Sequence, residues 1–323
     1  MAERNIRKAK GRAISMADKS KVCIICATIK GAYTFDGIKN MGYQIMIPYR
    51  DYNLIMRCLR EAWYRLRLPA RHLWYNPQCK KAEADLFIVR DSLVTAEYLS
   101  WLRKCHPNSR IILEYDNMAH TTIHPDSVTD PAIEKWTYDR GDAERYNMKL
   151  KAGGYYTSWK CTKTLPPAYD VVYVGADKGR VQKLFAIEDQ LKNMGLKTYF
   201  HICANRSFLR WTKPYYKPFM VYKDYLNLIG NSRAVLNIVQ EGAISITMRE
   251  VEAIYHNVKC ITNNPVIKGS DLYHPSRYFV LGDDPIEDLP KFLETPFEKV
   301  PEELLWNGSY DRTIEKMLEE KPE

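Results

Sequence analysis

The residues best placed to do chemistry stand between Glu241 and Ala253, where charged, small and hydroxyl side chains gather between two β-branched stretches. Upstream, residues 234–239 (AVLNIV) read as a short buried strand, and downstream residues 258–262 (VKCIT) read as another. Between them, Met248, Val251, Ala253 and Ile254 recur at helical spacing, which predicts a helix over residues 247–255 with Ser245 and Thr247 at its start. Strand, loop, helix and strand make a βαβ unit. In such a unit ligands bind at the strand's carboxyl end, and the helix start offers unpaired N–H groups to phosphate. Arg249, in the first turn, supplies a guanidinium that can grip two phosphate oxygens. Glu252 shares that helix face and is expected to accept hydrogen bonds from ribose hydroxyls.

Residues 169–180 (YDVVYVGADKGR) repeat the theme as a strand running into a glycine-containing turn with two bases. Gly175 lets backbone approach a phosphate, and Lys178 or Arg180 would neutralise it. Together the two segments resemble the donor-nucleotide site of GT-B glycosyltransferases, in which a late helix carries a base for the pyrophosphate and a glutamate for the ribose. Residues 85–283 as a whole resemble bacterial glycosyltransferase-like proteins of capsule, lipopolysaccharide and exopolysaccharide clusters. Residues 137–147 (TYDRGDAERYN) and the run from Glu241 to Asn264 carry most of that likeness. The resemblance implies an α/β, GT-B-like chain of two Rossmann-like domains facing across a cleft. It also implies transfer of a sugar from a nucleotide-sugar donor, a UDP-sugar foremost, to a saccharide or lipid-linked acceptor. Glu241 and Glu252 are too far apart for the paired glutamates of the better-known retaining members, so retention or inversion stays open.

GT-B enzymes neutralise the leaving diphosphate with helix dipoles and basic side chains in place of a metal ion. The sequence agrees. It offers no Asp-x-Asp metal motif in a loop, and Asp283-Asp284 reads as a turn, so neither metal nor cofactor is expected. An inverting mechanism needs a base from the N-terminal half to take the acceptor's hydroxyl proton. Asp36 in the first glycine loop, and Asp116 or His120 after a later strand, are the candidates. Each has a plainer reading: Asp36 as the cap of a helix starting at Gly37, Asp116 as one side of a turn with Asn117.

At 323 residues the chain exceeds what one core usually serves, so two domains of roughly 150 residues are expected. The pattern divides it into a basic arm (1–20), an N-terminal Rossmann-like acceptor domain (21–155), a C-terminal Rossmann-like donor domain (169–300) and a helix packing back across the domains (301–323). Within the first domain, strands are expected at 21–27, 43–47, 85–89 and 110–115. In residues 51–68 Leu54, Ile55, Cys58, Leu59, Ala62, Trp63 and Leu66 recur at helical spacing, with Arg57, Arg60, Arg65 and Arg67 elsewhere. This predicts an amphipathic helix that either covers the sheet or docks on a membrane through its arginines. Residues 203–220, rich in Arg, Lys, Trp, Pro and Tyr, exceed ordinary loop length and read as a functional loop.

The net charge of +9 calls for an anionic partner or a solubilising surface. No helix-turn-helix, RNA-binding aromatic motif or zinc module is present, so nucleic acid is not expected, and peripheral contact with an anionic membrane is. The eight scattered cysteines read as free core thiols. No apolar run reaches the ~20 residues of a membrane span and residues 1–21 lack a signal-peptide core, which places the chain in the cytoplasm, at the inner face of a membrane if it docks there. A dinucleotide oxidoreductase would need a Gly-x-Gly-x-x-Gly turn that is missing. A non-catalytic nucleotide- or sugar-binding partner subunit is the alternative.

Overall fold

The computed structural model describes residues 19–26, 33–151, 154–205, 207–239 and 245–320. The expected arm thus lies almost wholly outside the described residues, as do residues 28–32 of the first glycine loop and Glu241. The chain divides into one unit of residues 1–151 with 313–323 and a second of residues 152–312. The first boundary therefore falls before the linker expected at 155–168, and the C-terminal segment is shared between the units.

The first unit runs β1 (Val22–Ile25), α1 (Tyr33–Asn40), β2 (Gln44–Met46), α2 (Leu54–Arg65), α3 (Pro77–Lys81), β3 (Leu86–Arg90), α4 (Ala96–Cys105), β4 (Arg110–Tyr115), β5 (Ile133–Thr137), α5 (Arg140–Tyr146) and β6 (Lys149–Leu150). Its strands form one parallel sheet in the order β2-β1-β3-β4-β5-β6. The second unit runs β7 (Tyr169–Ala176), α6 (Val181–Asn193), β8 (Thr198–Cys203), α7 (Tyr222–Gly230), β9 (Ser232–Asn237), α8 (Met248–Tyr255), β10 (Lys259–Thr262), β11 (Tyr278–Val280), α9 (Leu289–Glu294) and α10 (Glu302–Asn307). Its sheet is also parallel, in the order β11-β10-β9-β7-β8. A last helix, α11 (Tyr310–Glu319), is separated from α10 by Gly308 and counts with the first unit from residue 313 onward. Both units are α/β, and among the described residues no helix is long and apolar enough to cross a membrane.

The apolar runs account for the sheets. Val22–Ile25 and Leu86–Arg90 are buried along their whole length, as strands covered on both faces must be. Thr95 opens α4 by accepting from the Tyr98 amide, and Asp139 opens α5 by accepting from that of Asp142. In each sheet the strand order reverses beside its first strand, between β1 and β3 and between β7 and β9. There the loops leave in opposite directions and open a crevice at the strands' carboxyl ends. Strands β5, β6 and β11 escape the sequence pattern because β5 carries Glu134 and Lys135 while the other two are two and three residues long.

A buried charge quartet closes the carboxyl edge of the first sheet. Arg90 and Glu114 are directly paired in register across β3 and β4. Lys151, just past β6, donates to Glu114 Oε1 and Asp116 Oδ1 at 2.8 Å each, while Arg90 pairs with Asp116 and lies 3.8 Å from Glu114. Glu114 is fully buried. Two cations and two anions balance, so the group is neutral only as a whole, and removing one member strands a charge in the interior. Lys151→Met should therefore destabilise the protein by about 3–5 kcal/mol, with Lys151→Met/Glu114→Leu recovering much of the loss. Urea unfolding reads this directly; a Lys151→Met midpoint equal to the parent's would mean that the quartet is solvated.

In the second unit, His256 ends α8 inside the protein. Its Nε2 lies 2.7 Å from the Tyr155 hydroxyl, which also donates to the Trp159 carbonyl at 2.7 Å. Burial, with the charge of Lys163 adding, pushes the imidazole pKa down to about 4. The unfolded chain, near the ordinary value of about 6.5, takes up the proton first as pH falls. Stability should then be lost between about pH 6.5 and 4, by on the order of 3 kcal/mol, and level off below. His256→Gln should flatten that limb of the melting-temperature profile; parallel profiles for parent and variant would show an imidazole open to water.

Candidate functional site

The order reversal of the second sheet carries the densest chemistry. Strand β7 ends at Gly175-Ala176 and turns through Asp177, Lys178 and Gly179 into α6. Lys178 and Gly179 are both left-handed, at φ 48° and 78°, a conformation that costs a non-glycine residue about 1 kcal/mol or more. The turn is held from outside. Asp177 accepts from the Val181 amide at 3.0 Å and the Tyr216 hydroxyl at 2.6 Å, and the Lys178 amide donates to Asn205 Oδ1 at 2.7 Å.

Three cations converge here. Arg180 does not present its guanidinium to a ligand: it donates to the carbonyls of Ile238, Ala176 and Asp177 and to the Tyr173 hydroxyl, pinning the ends of β7 and β9 together. The expectation was a side chain that neutralises phosphate; here four of its five N–H donors are turned inward, three of them to backbone oxygens. Arg249 is held differently. It is half-buried, with its guanidinium carbon 5.8 Å from the Tyr173 ring centre and 5.6 Å from that of Tyr225, and it makes no hydrogen bond among the described residues. Lys178 completes the group, its pKa lowered by burial and then by the charges of Arg180 and Arg249. Gly175 makes room for them, since a Cβ there would come within 2.8 Å of the Tyr173 hydroxyl and 3.5 Å of Arg249 Nη1.

The start of α8 is equally specific. Thr247 caps the helix in a reciprocal box with Glu250, whose Oε2 accepts from the Thr247 amide at 2.7 Å and hydroxyl at 3.0 Å. Buried Glu250 also accepts from Thr262 at 2.7 Å and Asn264 at 3.1 Å, and Asn237 donates to the Thr247 oxygen at 3.0 Å. The Thr247 hydroxyl is engaged within the protein, by Glu250 and Asn237, where the sequence reading turned it to the nucleotide. Ser245 contributes its carbonyl, accepting from Asn264 at 3.1 Å. The amides of Met248 and Arg249 have no acceptor among the described residues, so the helix start keeps two donors beside the Arg249 guanidinium.

Glu252 is where the expectation fails most clearly. It is 2% exposed and accepts a hydrogen bond from the Tyr222 hydroxyl of α7. Burial raises its pKa, against the lowering effect of Tyr222 and of Arg249. A carboxylate enclosed by tyrosines sets the field around Arg249 and does not reach out to a ribose.

In the first unit Asp36 lies in the first turn of α1, not in a loop and not at a cap. Asp116 has both carboxylate oxygens engaged, by Lys151 and Arg90, which leaves neither aimed at an acceptor hydroxyl as a general base requires. His120 is exposed in the short 3-10 turn Ala119–Thr121 of the same loop. Sequence reasoning missed Asp91, at the carboxyl end of β3 beside the order reversal. It is 1% exposed and accepts from the Asn117 amide at 3.2 Å and the Thr122 hydroxyl at 3.0 Å, and burial raises its pKa against those bonds. Its signal was its place, one residue beyond a buried strand. Asp91 lines an open groove of about 1420 Å³ together with Arg67, Ser92, Trp101, Lys104 and Thr122.

No family model matches the chain, and no curated protein does. Among solved structures it is similar to a glycotransferase of kitacinnamycin, at 11% identity over 93% of this chain and 99% of that one, with a TM-score of 0.44. It is also similar to a LacI transcriptional regulator from a Rhodococcus species (11% identity, 67% and 66% coverage, TM-score 0.20) and to D-2-hydroxyisocaproate dehydrogenase (10%, 75% and 70%, TM-score 0.22). Likenesses this distant carry no argument about activity.

Proposed function

We propose that the chain is a glycosyltransferase of surface polysaccharide assembly. It takes a nucleotide-sugar donor, a UDP-sugar foremost, in its second unit and a saccharide or lipid-linked acceptor in its first. The observation that carries this reading is Arg249, whose guanidinium lies against the rings of Tyr173 and Tyr225 with no hydrogen bond among the described residues, beside Lys178 and the first two amides of α8, which have no acceptor among those residues either. Such a group matches the two negative charges and several oxygens of a diphosphate. The leaving diphosphate is stabilised by these groups with no metal ion. Of the first unit's carboxyls, Asp91 has the raised proton affinity suited to a base, and its groove mixes an aromatic and apolar wall, Trp101 included, with polar groups such as Ser92, Lys104 and Thr122, a combination that suits a sugar.

Arg249→Ala should weaken nucleoside diphosphate binding by about 1.5–3 kcal/mol, roughly ten- to hundredfold, and leave nucleoside binding much less affected. Glu252→Gln should leave diphosphate affinity near the parent's. Calorimetric titration of folded variants with UDP and uridine reads both, and an Arg249→Ala variant that binds UDP normally would move the donor site elsewhere. Binding of a UDP-sugar without turnover on any acceptor would identify a nucleotide-binding partner subunit instead.

Sugar transfer should persist in excess chelator, because the diphosphate contacts are side-chain cations and helix amides. Complete loss restored by a divalent ion would assign the leaving-group charge to a metal and end this account of Arg249.

A further inference from the structure

Helix α2 is turned the opposite way from a helix that covers a sheet. Its inward side consists of Met56, Trp63 and Tyr64, packed against the first unit's core, with the Arg60 guanidinium 4.5 Å from the Tyr49 ring centre. None of its residues is fully buried. At 3.6 residues per turn, Leu54, Ile55, Cys58, Leu59, Ala62 and the C-cap residue Leu66 fall in one arc of roughly 140°. All six are exposed, Leu54 by 77%, Ile55 by 70%, Leu59 by 52% and Leu66 by 70%. Of the stripe that the sequence left open to cover the sheet or to meet a membrane, only Trp63 faces the core and the rest faces outward. Four large aliphatic side chains on one arc exceed the scattered apolar residues of an ordinary surface.

The charges on and beside the arc, Arg65 falling within it, identify what covers it. Arg50, Arg57, Arg65 and Arg67 are exposed, against only Asp51 and Glu61. Asp51 pairs with Arg57 at 3.2 Å and Glu61 with Arg60 at 3.0 Å, which leaves Arg50, Arg65 and Arg67 without an acidic partner among the described residues. A second copy of this chain would bring its own arginines against these and be repelled. A surface that is apolar inside and anionic outside satisfies both halves. We infer that α2 docks this protein on an anionic phospholipid bilayer, lying in the interface plane. Leu54, Ile55, Leu59 and Leu66 enter the acyl boundary and Arg50, Arg65 and Arg67 meet the lipid phosphates. This surface is independent of the donor site, and its test uses no nucleotide.

Cys58 is a native reporter, exposed on the arc, whereas every other cysteine is buried or half-buried. The intact protein, labelled at Cys58 with an environment-sensitive fluorophore, is titrated with phosphatidylcholine vesicles with and without phosphatidylglycerol. Emission should shift to the blue and be quenched by brominated acyl chains only with the anionic vesicles, and rising salt should reverse it. Ile55→Ser/Leu59→Ser should weaken vesicle co-sedimentation roughly tenfold or more. Arg65→Gln and Arg67→Gln should each weaken it about fivefold. The positions are exposed, so melting should be unchanged. Absence of binding overturns the inference, as does binding that survives the serine substitutions, which is adsorption by charge alone. A dimer in sedimentation equilibrium that the same substitutions dissolve would give the arc to a second copy and overturn it equally.

Discussion

A parallel sheet buries both of its faces, so ligand chemistry is confined to the line where its strands end. In the second unit that line is opened where the order reverses between β7 and β9, and one side chain keeps it in shape. Arg180 begins the helix after β7 and donates to carbonyls on both strand ends. Because its charge is satisfied by backbone dipoles, it fixes the floor without occupying the site. Tyr173, reached by the same guanidinium, then stands where it can carry Arg249 on its ring. Gly175 leaves the space that this arrangement needs.

Three acids near the site have three fates, each decided by what surrounds the carboxyl. Asp177 is absorbed by the turn and Glu250 by the capping box and the polar residues around β10. Glu252, about one helical turn from the cap, is hydrogen-bonded by the Tyr222 hydroxyl, feels the charge of Arg249 without bonding to it, and stays in the interior. None of the three forms a direct ion pair with Arg249 or Lys178, so both cations keep their N–H groups off these carboxylates even though Glu252 tempers the charge of Arg249. The first unit does the reverse with its quartet, where Arg90, Glu114, Asp116 and Lys151 cancel one another. Its carboxyl edge keeps Asp91 as an acid hydrogen-bonded by neutral donors.

The βαβ unit around α8 was legible because long β-branched runs flank a helix with a local cap, and both signals lie within a few residues of the groups they position. Gly175, Lys178 and Arg249 follow from the same placement. What escaped depends on distant partners. The carbonyl that claims Arg180 is 58 residues away in the chain, the tyrosine that claims Glu252 is 30 away, and the lysine that claims Asp116 is 35 away. Helical periodicity likewise marks the stripe on α2 but says nothing of which way it turns. There the aromatic rings of Trp63 and Tyr64 won the inward side, leaving the aliphatic residues outside.

The way Arg249 is held bears on the entropy of recognition. A free arginine side chain carries about 2 kcal/mol of rotamer entropy, and a ligand that must immobilise it bears that cost. Here the rings of Tyr173 and Tyr225 restrict the guanidinium while its N–H groups take no acceptor among the described residues, so the freedom is surrendered when the chain folds. An incoming anion meets donors already aimed. The penalty falls on the stability of the second unit and not on the affinity of the complex.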